Sequence, residues 1–277
     1  MKFLSKFYIG LIFLILYAPI LVVIIFSFNS SGSLSHFSGF SFYWYRELFR
    51  DGEALKALQN SLILAVLSSC IATLVGTLAA FAITRSRNKY YKRAAESVSN
   101  IPMMNPDIVT GVSMMLLFVG VATILGVTDM LGFWTMLIAH TTFNLPYVIL
   151  QVLPKFRSMD KSLTEAALDL GCTPAQTFVR VELPYILPGV ISGLMMSFTL
   201  SLDDFVISHF VSSPDFKTLP LYIYNQTAHE VKFSMYALCT LIIVVILALL
   251  IAVNVAGSAG ERNQRKKDKK AVGVSKS

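Results

Sequence analysis

The chain has 277 residues, 55% hydrophobic and 14% charged, with a mean hydropathy of +0.65 and a formal net charge of +7. Soluble domains carry about a quarter charged residues, so this composition excludes an ordinary soluble fold, and the long apolar runs leave too little sequence for a separate soluble domain. The runs do not alternate, which excludes a transmembrane β-barrel; the reading is an all-α polytopic membrane protein.

A bilayer core about 30 Å thick is crossed by about 20 apolar residues in a helix. Six runs meet this length, at roughly 7–28, 60–84, 98–124, 131–152, 184–211 and 235–257. The first exceeds the apolar core of a secretory signal, about 7–15 residues, and no small-residue cleavage pattern follows it, so a retained anchor is expected. Tyr43, Trp44 and Tyr45 come next and fit an interfacial aromatic belt. The second run carries Ser68, Ser69, Ala72, Gly76, Ala79 and Ala80, a surface suited to close helix contact. The third contains Asn105-Pro106-Asp107, where Pro102 and Pro106 predict a broken or kinked helix. In the fourth, His140, Asn144 and Gln151 are candidates for hydrogen bonds between helices.

The polar segment 153–183 has helix signals of its own. Ser162 followed by Glu165 fits a capping box, with Leu163, Ala166, Ala167 and Leu170 forming an apolar stripe behind it. Gly171 falls where a helix C-terminus needs positive φ. Thr173-Pro174-Ala175-Gln176 restarts a helix, with Thr as N-cap and Pro at the first position. The unit reads helix, glycine turn, helix. A helix of about eight residues is not stable alone in water, so it must pack, either in a groove on a partner or on the chain's own membrane domain.

The fifth run ends in Ser201-Leu202-Asp203-Asp204-Phe205. Intramembrane charges are costly and usually face a cavity or a partner. Successive helical residues point about 100° apart, so one carboxylate can line a path while its neighbour bonds within the bundle or across to a partner subunit. Carboxylates with no matching Lys or Arg in any run suggest a cationic substrate. The alternative is that Asp107, Asp203 and Asp204 cap helices or sit at a wet rim. Phe216, Tyr222 and Tyr224 lie in the 212–234 loop, at a pore mouth or in an aromatic belt, and His209 is equally open.

Lys and Arg set topology. The N-terminus holds two, the 85–97 loop five, the 153–183 loop four and the C-terminal segment seven, against five in all the remaining loops. Both termini and the 153–183 loop are therefore expected in the cytoplasm, and the positive charge is a topology signal. The basic tail 258–277 is expected to be disordered. Cys70, Cys172 and Cys239 have no CxxC or Cys/His spacing, so neither a metal site nor a disulfide framework is expected. No HExxH, GxSxG or GxxxxGK[ST] string occurs, which argues against an enzyme and against ATP binding by this chain. A passive channel or proton-coupled carrier would explain the aspartates but not the 153–183 segment.

Glu165-Ala166-Ala167, Gly171, Val181 and Leu183-Pro184 together resemble the cytoplasmic signature of bacterial ABC-importer permeases, with Val181 where that family usually has Ile. The resemblance covers residues 1–257 and implies the type I importer fold with six transmembrane helices. It implies that Glu165, Ala166, Ala167, Gly171, Val181, Leu183 and Pro184 form the element that docks on an ATPase subunit. Asn105-Pro106-Asp107-Ile108-Val109, the 197–206 string and Leu219-Pro220-Leu221-Tyr222-Ile223-Tyr224 resemble the spermidine/putrescine importer permeases, specifically the C-type of their two permease subunits; Trp44-Tyr45 and Asn60-Ser61-Leu62 fit as well. That implies a polyamine path touching Asp107, Asp203, Asp204, Tyr222 and Tyr224. It also implies a bacterial plasma-membrane location and three kinds of partner: an ATP-binding subunit dimer that uses ATP and Mg, a second, non-identical permease, and an extracytoplasmic polyamine-binding protein. A permease for an iron complex, thiamine, phosphonate or sulfate is the alternative, although an anion path would be expected to present cations or helix N-termini.

Overall fold

The computed structural model describes residues 2–33, 36–127, 130–228, 232–248 and 251. Among these the chain is helical, and its only β contacts are two isolated bridges. Among the described residues five helices are long and apolar enough to cross a membrane, and a shorter apolar helix covers Ser234–Ala248. Two compact units divide the chain, 1–55 with 223–277 and 56–222.

In the first unit, α1 (Lys2–Ser27) is apolar on every side and buries none of its membrane-length window. A helix apolar all round is suited to lipid or to a neighbouring helix. It ends in a knot organised by Asn29, whose amide donates to the Ser33 and His36 carbonyls and whose Oδ1 accepts from the Ser38 N–H. The short helix α2 (Tyr43–Leu48) is tied to this knot. Trp44 Nε1 donates to the Asn29 carbonyl at 2.8 Å, and the Tyr45 and Ser27 hydroxyls are 2.9 Å apart. Trp44 also packs on Phe233 at 5.4 Å. Trp44 and Tyr45, expected in an interfacial belt, thus serve internal contacts as well. The run expected at 235–257 begins as described; residues 249, 250 and 252–257, and the basic tail 258–277, lie outside the described residues.

The second unit is built on three long helices: α3 (Gly52–Arg85), α6 (Phe133–Ser158) and the helical stretch Pro174–Asp203. That stretch comprises α8 (Pro174–Thr177), a π-helical segment (Phe178–Glu182) and α9 (Leu183–Asp203). Glycine lets these backbones approach. A Cβ on Gly76 would stand 2.7 Å from Val148 Cγ1, and one on Gly189 would stand 2.9 Å from the Gln151 carbonyl oxygen. Val148 is thereby wedged between α3 and α9, inside a core that includes Ala72, Ala80, Val152 and Ile186. Small residues at a helix seam are the expected device where lipid supplies no hydrophobic drive between helices.

Two expected spans differ from the structure. The run at 98–124 is two helices, α4 (Lys89–Met104) and α5 (Asp107–Leu125). α4 continues through Pro102, and the break falls at Asn105-Pro106. Proline pushes its predecessor out of the helical region, and Asn105 accordingly adopts ψ 140°. The run at 184–211 is also interrupted: α9 stops at Asp203, and α10 (Val206–Val211) starts afresh. The cause is Asp204, whose carboxylate accepts from the Ile207 and Ser208 N–H groups and so caps the new helix. α11 (Leu219–Thr227) follows.

Candidate functional site: the α7 loop and a buried carboxylate at the α9 break

The segment carrying Glu165-Ala166-Ala167 forms α7, Lys161–Asp169. Its N-cap is Asp160, which accepts from the Ser162 N–H at 3.0 Å. The expected Ser162/Glu165 capping box is therefore displaced by a carboxylate two residues earlier. That hydrogen bond holds the Asp160 carboxyl below its usual value. The C-terminus is a Schellman turn: the Cys172 N–H donates to the Ala167 carbonyl and the Gly171 N–H to that of Leu168. Gly171 takes φ +84°, as the turn requires. Thr173 and Gln176 form a reciprocal capping box that restarts the chain as α8. Of the predicted apolar stripe only Ala167 is buried; Leu163 and Leu170 are 45% and 86% exposed. Ala166 and Glu165 face outward too, and Glu165 lines a cavity of about 420 Å³ between α7 and the ends of α3 and α6.

Val181 lies in the π-helical segment, half-buried, and Leu183 and Pro184 open α9. Between them stands Glu182, a residue the motif leaves undefined. It is 2% exposed, its Oε1 is 2.5 Å from Arg85 Nη2 at the end of α3, and the same oxygen accepts from the Thr164 hydroxyl of α7 at 3.2 Å. Sequence reading missed this pair because Arg85 counted only as a topology charge and Glu182 as the last polar residue before an apolar run. Nothing local marks two residues 97 positions apart as partners. At the neighbouring helix ends, Arg157 of α6 pairs with Glu96 of α4.

The two adjacent aspartates have opposite fates. Asp203 is exposed at the last turn of α9, whereas Asp204 turns inward. Its carboxylate Oδ2 lies 3.5 Å from His140 Nε2 on α6, with both side chains buried. His140 also contacts Ser201 through Nδ1 at 2.7 Å and Ser208 through Nε2 at 3.2 Å, and Ser201 continues to Ser68 on α3 at 2.9 Å. Five polar side chains from α3, α6, α9 and α10, with Asp204 at the α9–α10 break, thus form one buried network. His140 makes the interhelical bonds expected of it, and Gln151 Nε2 reaches Met196 Sδ. Asn144, fully buried, has no hydrogen-bond partner among the described residues.

Asp107 is the exposed first residue of α5. One turn later, a Cβ on Gly111 would stand 2.9 Å from Phe210 and 3.4 Å from the Val206 carbonyl. Residues four apart share a helix face, and α5 and α10 pack along Phe118, Ile207 and Val211. Asp107 is therefore on the α5 face that meets α10, one turn before that crossing. Tyr222 is buried and Tyr224 half exposed on α11. The second unit holds Asp107, Asp203, Asp204 and Tyr222, while Tyr224 belongs to the first.

Residues 72–257 match the family described as binding-protein-dependent transport system inner membrane component. The chain is 39% identical over 231 residues to the putrescine transport system permease protein PotI of Escherichia coli K12, covering 83% of this chain and 82% of that one. It is 39% identical over 233 residues to the spermidine/putrescine transport system permease protein PotC of the same strain, covering 84% and 86%. Among solved structures, a bacterial ABC transporter that imports the acidic polysaccharide alginate aligns with TM-score 0.74 at 17% identity, covering 94% of this chain and 95% of that one, a likeness of fold.

Proposed function

Because the chain belongs to the family of binding-protein-dependent transport system inner membrane components, and is thus a multi-pass membrane transport subunit, we propose that it is one permease of an ATP-driven polyamine importer. The observation that carries the substrate class is the 39% identity, over most of both chains, to permeases named for putrescine and spermidine. The chemistry agrees. Polyamines are flexible polycations, and Asp107 and Asp203 offer exposed carboxylates in a chain with no Lys or Arg among its long apolar stretches. Tyr222, Tyr224 and Asp204 are the further side chains proposed for polyamine contact, the tyrosines by cation–π chemistry.

α7 is the element proposed to enter a cleft of the ATPase subunit. A two-turn helix whose leucines stay exposed is incomplete without a partner, and Ala166 permits close approach. ATP and Mg are handled by that partner, since this chain has no phosphate-binding loop. In the proposed cycle, closure of the ATPase dimer moves the 163–182 segment. That motion opens the path outward to a docked polyamine-binding protein, with a second, non-identical permease as the other wall, and hydrolysis resets it. Both termini and the 153–183 loop face the cytoplasm in this reading, and residues 1–257 form the permease domain.

The test is uptake of radiolabelled spermidine and putrescine by cells lacking this chain, restored with wild type or with Asp203→Asn. Loss on deletion, with full rescue only by wild type, is the expected result. Unchanged uptake in the deletion would overturn the polyamine assignment and leave family membership standing.

A further inference from the structure

Resting on that reading of α7, we infer that Glu182 and Arg85, with Thr164, are the positioning residues that carry the movement of α7 into α3. The family motif passes over Glu182, yet in this chain its carboxylate bonds to both elements. One oxygen, Oε1, meets the Arg85 guanidinium at 2.5 Å and the Thr164 hydroxyl at 3.2 Å. A carboxylate 2% exposed persists only when paired and hydrogen-bonded, so this oxygen ties three segments at one point: the loop helix, the π-helical segment and the end of a membrane-length helix.

The surroundings stiffen the joint. The Arg85 guanidinium lies over the Phe81 ring at 5.4 Å, and Phe81 meets Phe178, the first residue of the π-helical segment, at 4.9 Å. The α3 end thus grips that segment at Phe178 through a ring and at Glu182 through a charge. By contrast, Glu165 makes no ion pair among the described residues, so Thr164, Glu182 and Arg85 form the polar route from α7 to α3. The arginine fork fixes direction as well as distance, which a hydrophobic contact at this joint would not do.

The test uses the whole transporter, this chain with its partner subunits, purified and reconstituted with the loaded binding protein. Uptake per assembled complex and the ratio of stimulated to unstimulated ATP hydrolysis are measured for Glu182→Gln, Arg85→Gln, Thr164→Val and the exchange Arg85→Glu/Glu182→Arg. The expected result is uptake per complex lowered by about tenfold in the two Gln variants, a usual size for coupling between distant sites. The stimulation ratio should fall toward one, Thr164→Val should fall between, and the exchange should recover part of both. Thr164→Val keeps the ion pair, and so decides the matter if the Gln variants fail to assemble. Wild-type uptake per complex and a wild-type ratio in every variant that assembles would overturn the inference, even if less complex is made, because a merely structural joint changes amount and not coupling. If instead the ATPase fails to co-purify with wild-type chain, or deletion of the chain leaves uptake intact, it is the underlying reading of α7 that falls.

Discussion

His140 and Asp204 face each other across the α6–α9 seam, Nε2 to Oδ2 at 3.5 Å, with both side chains buried. Two neighbouring aspartates therefore have separable roles, since Asp204 is used up by a helix cap and this contact while Asp203 stays exposed. Asp204→Ala removes the cap and leaves His140 and the Ile207 and Ser208 N–H groups short of an acceptor. A loss of stability of about 1–3 kcal/mol is expected, seen as less folded complex in the membrane and a lower melting temperature. Asp203→Asn is expected to leave assembly intact and to lower polyamine uptake. Equal assembly defects in the two variants would show that the separation is wrong.

Gly171 tests backbone against space. Its φ is +84°, and nothing lies within 4 Å of a Cβ placed there. Gly171→Val is therefore expected to cost about 1–2 kcal/mol through the left-handed backbone alone and to uncouple hydrolysis from uptake. Gly171→Asn, with a side chain that tolerates this region, is expected to retain most uptake. Normal ATPase coupling in Gly171→Val would refute the role given to the turn.

Gly189 and Gly193 provide a graded comparison on one helix. A Cβ at 189 meets the Gln151 carbonyl at 2.9 Å, a backbone atom that cannot step aside, whereas a Cβ at 193 meets Val148 at 3.3 Å. Overpacking of this kind costs about 1–3 kcal/mol. Thermal melting in detergent is expected to rank Gly189→Ala well below Gly193→Ala. The reverse order would mean that the α6–α9 spacing is not set by these glycines.

Asp160 predicts a pH dependence. Its folded-state carboxyl is held below the ordinary value of 3.8 by the Ser162 N–H and hydroxyl. Its stabilisation of α7 is thus fully present above that value and is lost as pH falls through the lowered one. The protection of residues 161–171 against hydrogen exchange, relative to the intrinsic rate at each pH, is expected to be steady from neutral pH down to the carboxylate range and to fall below it. Asp160→Asn is expected to weaken that acid-induced change. A change centred near neutrality would assign it to another group.

Much of this was legible in the residues themselves. The Gly171 turn and the Thr173/Gln176 box are local chemistry, fully specified by four or five neighbours, and the apolar runs declare membrane-length helices by length alone. The break in the third run was legible at Pro106, although the helix runs on through Pro102; the break in the fifth was not, because hydropathy averages over a carboxylate that caps instead of pointing outward. The Ser162/Glu165 box lost to Asp160 for a similar reason: both fit the pattern, and only geometry chooses between them. Glu182 with Arg85 and His140 with Asp204 depend on helices meeting in space, and a pairing across 97 or 64 positions leaves no periodic trace.

The π-helical segment Phe178–Glu182 amounts to one residue too many for the turn it occupies. An α-helix advances about 1.5 Å and 100° for each residue, so the surplus offsets the phase of everything before it against everything after it. Moving the surplus one step along the chain swings a single side chain by about 100° while α8 and α9 keep their own ladders. Glu182 sits at the last position of that surplus turn, where its heading depends on where the extra residue is housed. A deletion of one residue between 178 and 181 would rewind the stretch as continuous α-helix and aim the carboxylate away from Arg85.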